Sequence, residues 1–248
     1  MDFGIKGRVA LVTGASQGLG RAIAEVLAHE GARVAISSRS QERSEETANV
    51  IGAHAFEHDN ANVDSAAELI EQVETALGPI EILVTNTGGP PANADPLGPS
   101  QAQWEEAYRT LVLAPMALVQ LVLPGMRERG FGRIVNVASS TVREPAPALI
   151  LSNSHRSAAV SAFKTLAREV AADGVTMNSA LPGRIDTDRL RELFASEDVA
   201  RAATAEIPAG RLGTPAEFAA AVAFLCSAQA SYITGVALLV DGGLIRGV

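Results

Sequence analysis

The amino-acid sequence predicts an α/β fold: one doubly wound, mostly parallel sheet of seven strands with helices on both faces. Three observations predict it. Short apolar runs alternate with amphipathic helical patterns from end to end. The runs are continuously apolar, which is typical of parallel strands covered on both faces. No linker, low-complexity tract or internal repeat interrupts them, so residues 1–248 are expected to form a single domain.

Each element has its own pattern. The predicted strands are the runs RVALVTG, RVAIS, a third before EHDNANV, IEILVTN, GRIVNVAS, VTMNSAL and VALLVDGG. Helical patterns between them predict helices over Leu19–Glu30, Gln41–Ile51, Val63–Leu77, Gln101–Arg129, Ile150–Ala172 and Pro215–Ser227. Thr214, Pro215 and Glu217 have the spacing of a capping box that starts the last helix. Residues 184–211 show weak helical pattern and are expected to form a lid over a site.

Composition excludes several classes of function. The formal net charge is -8 at pH 7, which argues against a nucleic-acid partner because such binding needs a basic surface. Cys226 is the only cysteine, so no intrachain disulfide can form and a reducing compartment is allowed. No Cys/His arrangement has metal-ligand spacing, and we expect no metal. The N-terminus resembles neither a signal peptide nor a membrane span. We therefore expect a cytoplasmic protein without a membrane partner.

A glycine-rich loop joins the first strand to the first helix in VTGASQGLGRA. Gly14 would permit the tight turn, Gly18 would let the backbone approach a pyrophosphate, and Gly20 would allow close packing of helix on strand. The helix start would offer free N–H groups to the phosphates. The alternative is a turn that only packs the helix on the sheet. The G-x3-G-x-G spacing differs from G-x-G-x-x-G, yet the motif favours dinucleotide binding.

Several motifs in order carry a family resemblance across nearly the whole chain. The glycine-rich loop is followed by VTNTGG, GRIVNVASS, NSALPGRIDT and ITGVALLVDGG. Together they resemble classical short-chain dehydrogenases/reductases, and in particular the 3-oxoacyl-carrier-protein reductases. The resemblance implies a Rossmann-type fold, a nicotinamide cofactor, a small carbonyl or alcohol substrate, and a homo-oligomer, a tetramer first and a dimer next. The implied cofactor-binding residues are Gly14, Ser16, Gln17, Gly18, Leu19, Gly20, Arg39, Asp59, Asn86, Gly88, Arg156, Pro182, Gly183, Ile185 and Thr187.

The end of the second strand bears on the choice of cofactor. An acidic residue there would bond the ribose hydroxyls and favour NAD. The sequence instead has Ser37, Ser38 and Arg39, and an arginine can bind a 2′-phosphate through charge-assisted bonds. We therefore predict NADP, with NAD as the alternative; Arg39 could also be a solvated loop charge. Asp59 resembles the family's adenine-contacting aspartate, although it could instead cap the following helix.

The catalytic positions depart from the family pattern. The resemblance makes Ser139 the catalytic serine and implies a tyrosine thirteen residues later and a lysine four beyond that. Those positions hold Ser152 and Arg156, and the family's asparagine position falls near Leu111. No tyrosine precedes a lysine by four residues elsewhere. Ser152 and Arg156 would still share one helix face. Arginine keeps the positive charge but does not release its proton to a relay.

His155 is the neighbouring candidate for proton transfer, since histidine titrates near neutral pH. The alternative is that it packs against the cofactor loop or a subunit partner. Two hypotheses of function follow. The first is an NADP-dependent oxidoreductase that reduces a ketone or oxidises a secondary alcohol with a non-standard proton donor. The second is a dinucleotide-binding pseudoenzyme that acts as a sensor or non-catalytic subunit. A purely structural role fits the complete phosphate loop least well.

Overall fold

Seven parallel strands form one sheet in the computed structural model, which describes residues 2–193 and 196–247. The sheet order is β3-β2-β1-β4-β5-β6-β7. The order turns back between β1 and β4, so a crevice opens at the carboxyl ends of these strands. The predicted α/β fold is confirmed. The strands are β1 Val9–Thr13, β2 Arg33–Ser38, β3 His54–Glu57, β4 Ile80–Thr85, β5 Gly132–Val137, β6 Val175–Pro182 and β7 Ala237–Val240.

Helices cover both faces of the sheet. In β1, Ala10 and Val12 face one hydrophobic core with α1, α2 and α9, whereas Val9 and Leu11 face a second core with α3, α5 and α6. Burial on both faces is why the strands are apolar throughout. The helices are α1 Gly18–His29, α2 Gln41–Ile51, α3 Ala66–Leu77, α4 Gln101–Tyr108, α5 Ala114–Glu128, α6 Ile150–Val170, α7 Asp188–Leu193, α8 Glu197–Ala205 and α9 Pro215–Leu225.

The helix predicted over Gln101–Arg129 is interrupted. A π-helical turn, Arg109–Leu113, separates α4 from α5. Pro115 lies just after this turn, and a proline ring removes one N–H and crowds the carbonyl four residues earlier. The N–H of Ala114 instead bonds the carbonyl of Arg109, five residues back. Gln101–Glu128 is long and apolar enough to span a membrane by composition, but 44% of its most apolar window is buried within the protein.

The segment that the sequence predicts to be a lid contains more helix than its pattern indicated. Residues 184–211 include α7 and α8, and Ser196 caps α8 by accepting a bond from the N–H of Val199. The predicted capping box at the start of α9 is confirmed: the Thr214 hydroxyl accepts from the Glu217 N–H, and the Glu217 carboxylate accepts from the Thr214 N–H.

Candidate cofactor and catalytic cleft

The glycine-rich turn has the geometry that its sequence predicts. Gly14 and Gly18 both have φ of 58°, in the left-handed region that favours glycine. A β-carbon on Gly14 would lie 2.6 Å from the carbonyl oxygen of Asn86, and one on Gly20 would lie 2.4 Å from the carbonyl oxygen of Gly14. A β-carbon on Gly18 would meet no atom within 4 Å. Two glycines therefore allow close packing, and the third leaves open space.

Asn86, directly after β4, holds the turn in place. Its side-chain Nδ2 donates to the carbonyl of Gly14 at 2.9 Å. The Thr13 hydroxyl donates to the carbonyl of Asn86 at 2.9 Å and accepts from its N–H at 3.0 Å. In the described chain no side chain caps the first turn of α1. The N–H groups of that turn can therefore bind an external anion, as phosphates are bound at helix N-termini.

A cleft of about 860 Å³ lies over the carboxyl ends of the strands. Residues from the glycine-rich turn, the end of β2, the loop after β4, and α4, α6 and the lid all contribute to its walls. Twelve of the predicted cofactor residues line it: Gly14, Ser16, Gln17, Gly18, Leu19, Arg39, Asp59, Asn86, Gly88, Arg156, Pro182 and Thr187.

Three predicted cofactor residues lie behind the wall of the cleft. Gly20 packs α1 against Gly14. At Gly183 a β-carbon would lie 2.6 Å from the β-carbon of Asp241, so this glycine allows close packing of two backbones. Ile185 is buried in the core and forms a β-bridge with Gly213. None of the three is among the residues that line the cleft, and their predicted contact with the cofactor stays a prediction.

The residues predicted to contact the adenosine half of a cofactor line the cleft near the ends of β2 and β3. Arg39 lines it and is exposed, one residue after the end of β2. Asp59 also lines it, and its Oδ1 accepts from the N–H of Ala61 at 3.0 Å. His58 is buried beside Asp59; burial lowers the pKa of the imidazole, and the negative charge of Asp59 opposes this shift. The neutral form of His58 is therefore favoured.

Arg156 lines the cleft where β4 and β5 end. Its Nη1 donates to the carbonyl of Val137 at 2.8 Å, its Nη2 to that of Thr87 at 3.3 Å, and its Nε to the Ser152 hydroxyl at 3.2 Å. The residue is only 8% exposed. Burial, and after it the positive charge of Arg189, lowers the pKa of the guanidinium to about 10. Arg156 is therefore still a cation at neutral pH.

Two serine hydroxyls reach the same end of the cleft. Ser139 Oγ accepts from the N–H of Thr141 at 3.2 Å and from its hydroxyl at 3.0 Å. Ser152 Oγ accepts from Arg156. Since each oxygen already accepts a bond from the protein, each hydroxyl hydrogen can be donated into the cleft. Both side chains line the cleft.

His155 lies on another side of α6. Its ring is buried against Trp104 and Tyr108, with centroid separations of 5.4 and 6.3 Å, and its Nδ1 lies 2.7 Å from the carbonyl of Leu151. The residues lining the cleft include Leu151, Ser152 and Arg156 from this helix, but His155 is not one of them. The ring therefore packs on α4 and not on the cofactor loop. A role of His155 in proton transfer stays a prediction.

The glycine-rich turn, the sheet order and the cleft agree with what comparison with known proteins finds. A family model described as enoyl-(acyl carrier protein) reductase matches residues 14–245. A 3-oxoacyl-[acyl-carrier-protein] reductase of Vibrio cholerae is 38% identical over 244 residues, which are 97% of this chain and 98% of the relative. This chain is a short-chain dehydrogenase/reductase.

Solved structures of this family superimpose closely. L-sorbose reductase from Gluconobacter frateurii, solved with NADPH and L-sorbose, gives a TM-score of 0.91 at 31% identity, with 100% of both chains covered. An NADPH-dependent reductase involved in bacilysin biosynthesis gives a TM-score of 0.92 at 27% identity, covering 97% of this chain and 99% of the other.

Sequence reasoning missed some residues of the short-chain dehydrogenase/reductase cleft. Arg189, in the lid, lines the cleft, and its Nη2 donates to the carbonyls of Gly89 and Pro90 at 3.2 and 2.8 Å. Asn60, Gln103, Glu106 and Thr110 also line it. No local pattern could identify Arg189, because its partners lie a hundred residues earlier in the chain. Within residues 2–193 and 196–247, no group of His, Cys, Asp and Glu has the arrangement of a metal site.

Proposed function

We propose that this protein is an NADP-dependent oxidoreductase that reduces a ketone or oxidises a secondary alcohol, with a proton donor other than tyrosine. One observation carries the proposal: a single cleft joins an open helix N-terminus on a glycine-rich turn to two serine hydroxyls and a buried guanidinium. The first half suits a pyrophosphate, and the second half suits a carbonyl oxygen.

The residues at the adenosine end support NADP. The glycine-rich turn fits a dinucleotide, since Gly18 lines the cleft and leaves space where a side chain would stand. Ser38 and Arg39 occupy the place where an acidic residue would favour NAD. The L-sorbose reductase was solved with NADPH, and the reductase involved in bacilysin biosynthesis is NADPH-dependent. We assign NADP to this chain on these grounds, and Arg39 is the residue that would bind the 2′-phosphate.

The bound cofactor would supply or accept the hydride. The chain's own groups would act on the substrate oxygen. The hydroxyls of Ser139 and Ser152 would donate to it, and the nearby positive charge of Arg156 would stabilise negative charge that develops there. Such a donor is worth about 10²–10³ in rate when it is prearranged.

The site lacks a side chain of the usual acidity to donate the proton to the substrate oxygen. Arginine does not act as an acid near neutral pH, and Arg156 has a pKa of about 10. A serine hydroxyl is a much weaker acid than a phenol. Loss of a positioned general acid slows catalysis by about 10²- to 10⁴-fold. We therefore propose that Ser152 orients a water molecule that supplies the proton and that turnover is slow.

The same replacement favours a second candidate, a dinucleotide-binding pseudoenzyme. Its specific support is that Ser152 and Arg156 stand at the family's tyrosine and lysine positions, while buried Leu111 stands near the asparagine position. A chain with these residues could keep the cofactor cleft and act as a sensor or as a non-catalytic subunit.

One series of measurements separates the two candidates. NADPH fluorescence titration is followed by turnover against ketoses, simple ketones and 3-oxoacyl thioesters. The oxidoreductase proposal predicts that Ser139→Ala and Ser152→Ala each lower kcat by about 10²- to 10³-fold while NADPH still binds. Ser154→Ala is the matched control, because Ser154 is exposed on the same helix and bonds only the carbonyl of Ile150. Tight NADPH binding without turnover of any substrate would favour the pseudoenzyme.

We further propose that the protein assembles as a cytoplasmic homo-oligomer, a tetramer or otherwise a dimer, without nucleic acid or membrane. The support is that α4 and α5 expose apolar surface, with Tyr108 46% and Leu121 43% exposed. Burial of such side chains between subunits is favourable. Sedimentation equilibrium tests this: a monomer at micromolar concentration would exclude it.

A further inference from the structure

Two guanidinium groups meet at one point of the cleft. A β-carbon on Gly89 would lie 3.8 Å from Nη2 of Arg189 and 3.9 Å from Nη2 of Arg156. Arg156 lies on α6 and Arg189 on α7, so two separate elements bring a positive charge to this point. The repulsion between them is one of the causes that lower the pKa of Arg156. Two positive charges near the same point favour the binding of an anion there.

The described residues place no carboxylate at this point. In the part of the chain that the structure describes, no carboxylate oxygen lies within 4.0 Å of either guanidinium. The carboxylate of Asp188, the sequence neighbour of Arg189, pairs with Arg191 instead. Glu106 lines the cleft, but it is exposed and forms no ion pair with either arginine. Arg156 is thus a buried cation held by two carbonyls and one hydroxyl, all neutral groups.

Within residues 2–193 and 196–247, both side chains keep N–H donors without a hydrogen-bond partner. A guanidinium has five N–H groups. Arg156 uses one each on Nε, Nη1 and Nη2, which leaves one on each terminal nitrogen. Arg189 uses only Nη2, which leaves Nε and Nη1 free. These donors match the two oxygens of a carboxylate. The net charge of -8 repels anions overall, so attraction here would be local.

We propose that the cleft binds a carbonyl substrate that bears a carboxylate and that this carboxylate is held by Arg156 and Arg189. The proposal rests on the oxidoreductase function proposed above and names its substrate class. The Ser139 and Ser152 hydroxyls at the same end of the cleft would then bond the carbonyl oxygen, and the carboxylate would orient the carbonyl carbon. Keto acids and the corresponding hydroxy acids are the expected substrates.

The binding test does not depend on turnover. Malonate and the neutral analogue malonamide are titrated calorimetrically into the protein saturated with NADP⁺. Malonate should bind at least 10-fold more tightly than malonamide. Arg189→Gln should weaken malonate binding by about 10- to 100-fold, which is the loss expected for charge-assisted bonds. Arg191→Gln is the matched control, because Arg191 is exposed in the same helix and pairs with Asp186 and Asp188; it should leave malonate binding unchanged.

A second pair of variants places a charge at the meeting point. Gly89 does not have a positive φ, and a β-carbon there would make ordinary contacts, so a side chain can be accommodated. Gly89→Asp would supply a tethered carboxylate and should abolish malonate binding. Gly89→Asn has the same shape without the charge and should weaken it much less. Equal effects of Asp and Asn would overturn the proposal.

Other outcomes are equally decisive. The proposal fails if malonamide binds as tightly as malonate or if Arg191→Gln weakens malonate as much as Arg189→Gln does. It also fails if Arg189→Gln lowers the affinity for NADP⁺ and leaves that for malonate unchanged, because the arginine pair would then serve the cofactor phosphates.

Turnover distinguishes this proposal from the proposed function. The substrates are 4-oxopentanoate and 2-oxobutanoate, each compared with its methyl ester. A kcat/KM at least 10-fold higher for the acids supports the proposal. Equal kcat/KM for acids and esters would overturn it while leaving the oxidoreductase function intact. If nothing turns over but malonate binding still requires Arg189, the oxidoreductase function fails and the anion site stands.

Discussion

Gly14 and Gly18 have the same φ of 58°, but alanine substitutions at the two positions should have different effects. An alanine at either position adopts the left-handed region at a cost of about 1 kcal/mol. At Gly14 the new β-carbon also lies 2.6 Å from the carbonyl oxygen of Asn86. Overpacking of this kind costs about 1–3 kcal/mol more. At Gly18 the β-carbon meets nothing within 4 Å and points into open space at the cleft.

The expected result is therefore a separation of stability from cofactor affinity. For a chain of this size, 1 kcal/mol shifts Tm by about 2–4 °C, so Gly18→Ala should lower Tm by about 2–4 °C and Gly14→Ala by about 4–16 °C. Gly18→Ala should nevertheless weaken NADPH binding by about 10- to 100-fold, because its methyl group would obstruct the approach of phosphates to the helix N-terminus.

The assay combines calorimetric unfolding without cofactor and NADPH fluorescence titration. Both are measured on the wild type and on the two alanine variants at one ionic strength. A larger loss of Tm for Gly18→Ala than for Gly14→Ala would refute the packing argument. Unchanged NADPH affinity in Gly18→Ala would refute the assignment of this turn to the pyrophosphate.

Three further predictions concern side chains away from the turn. His155→Ala should lower the free energy of unfolding by about 1–3 kcal/mol, because packing and a hydrogen bond are lost. It should leave kcat unchanged. A 100-fold fall in kcat would show that His155 takes part in proton transfer. Burial raises the pKa of the Cys226 thiol to about 12. A thiol reagent at pH 8 should therefore modify Cys226 only after the protein unfolds. Rapid modification of the folded protein would contradict the burial of this thiol. The Arg211 guanidinium, and after it Thr214, lowers the pKa of Glu217 to about 2. The wild type should therefore be more stable than Glu217→Gln above the unfolded pKa near 4.5, and this difference should disappear as the pH falls to 2. Urea titrations measure it, and a difference that persists at pH 2 would contradict the prediction.

Much of the fold could be predicted from sequence because its determinants are local. Continuous apolar runs identify strands buried on two faces, and the spacing of Thr214 and Glu217 identifies a helix start. The π-helical turn could not be read in the same way. Pro115 signals a disturbed helix, but whether the chain kinks, breaks or adds one residue to a turn depends on packing around it.

The sequence predicts the parts of the site that depend on backbone conformation, and it does not predict the positions of the side chains. The glycine-rich turn follows from residue type and order. His155 shows the limit: three residues after Ser152 on a helix, its side chain is rotated by about 60° from that of Ser152. Trp104 and Tyr108 on α4 occupy that side, which sequence alone does not show. The contact of Arg189 with Gly89 and Pro90 is visible only in the folded structure, because these partners lie about a hundred residues earlier in the chain.

The Ser152–Arg156 pair is more consistent with a site that binds a ligand than with one that has decayed. Arg156 bonds two carbonyls and the Ser152 hydroxyl, so the two side chains form one arrangement. Stability alone would favour a neutral residue at position 156, since a buried cation without a carboxylate partner is costly and well-packed apolar groups are often at least as stable. The cation has a physical reason to be there if an anion enters the cleft and neutralises it. We therefore expect saturating malonate to raise Tm in the wild type and to have little effect in Gly89→Asp, where the tethered carboxylate already occupies the point at which Arg156 and Arg189 meet.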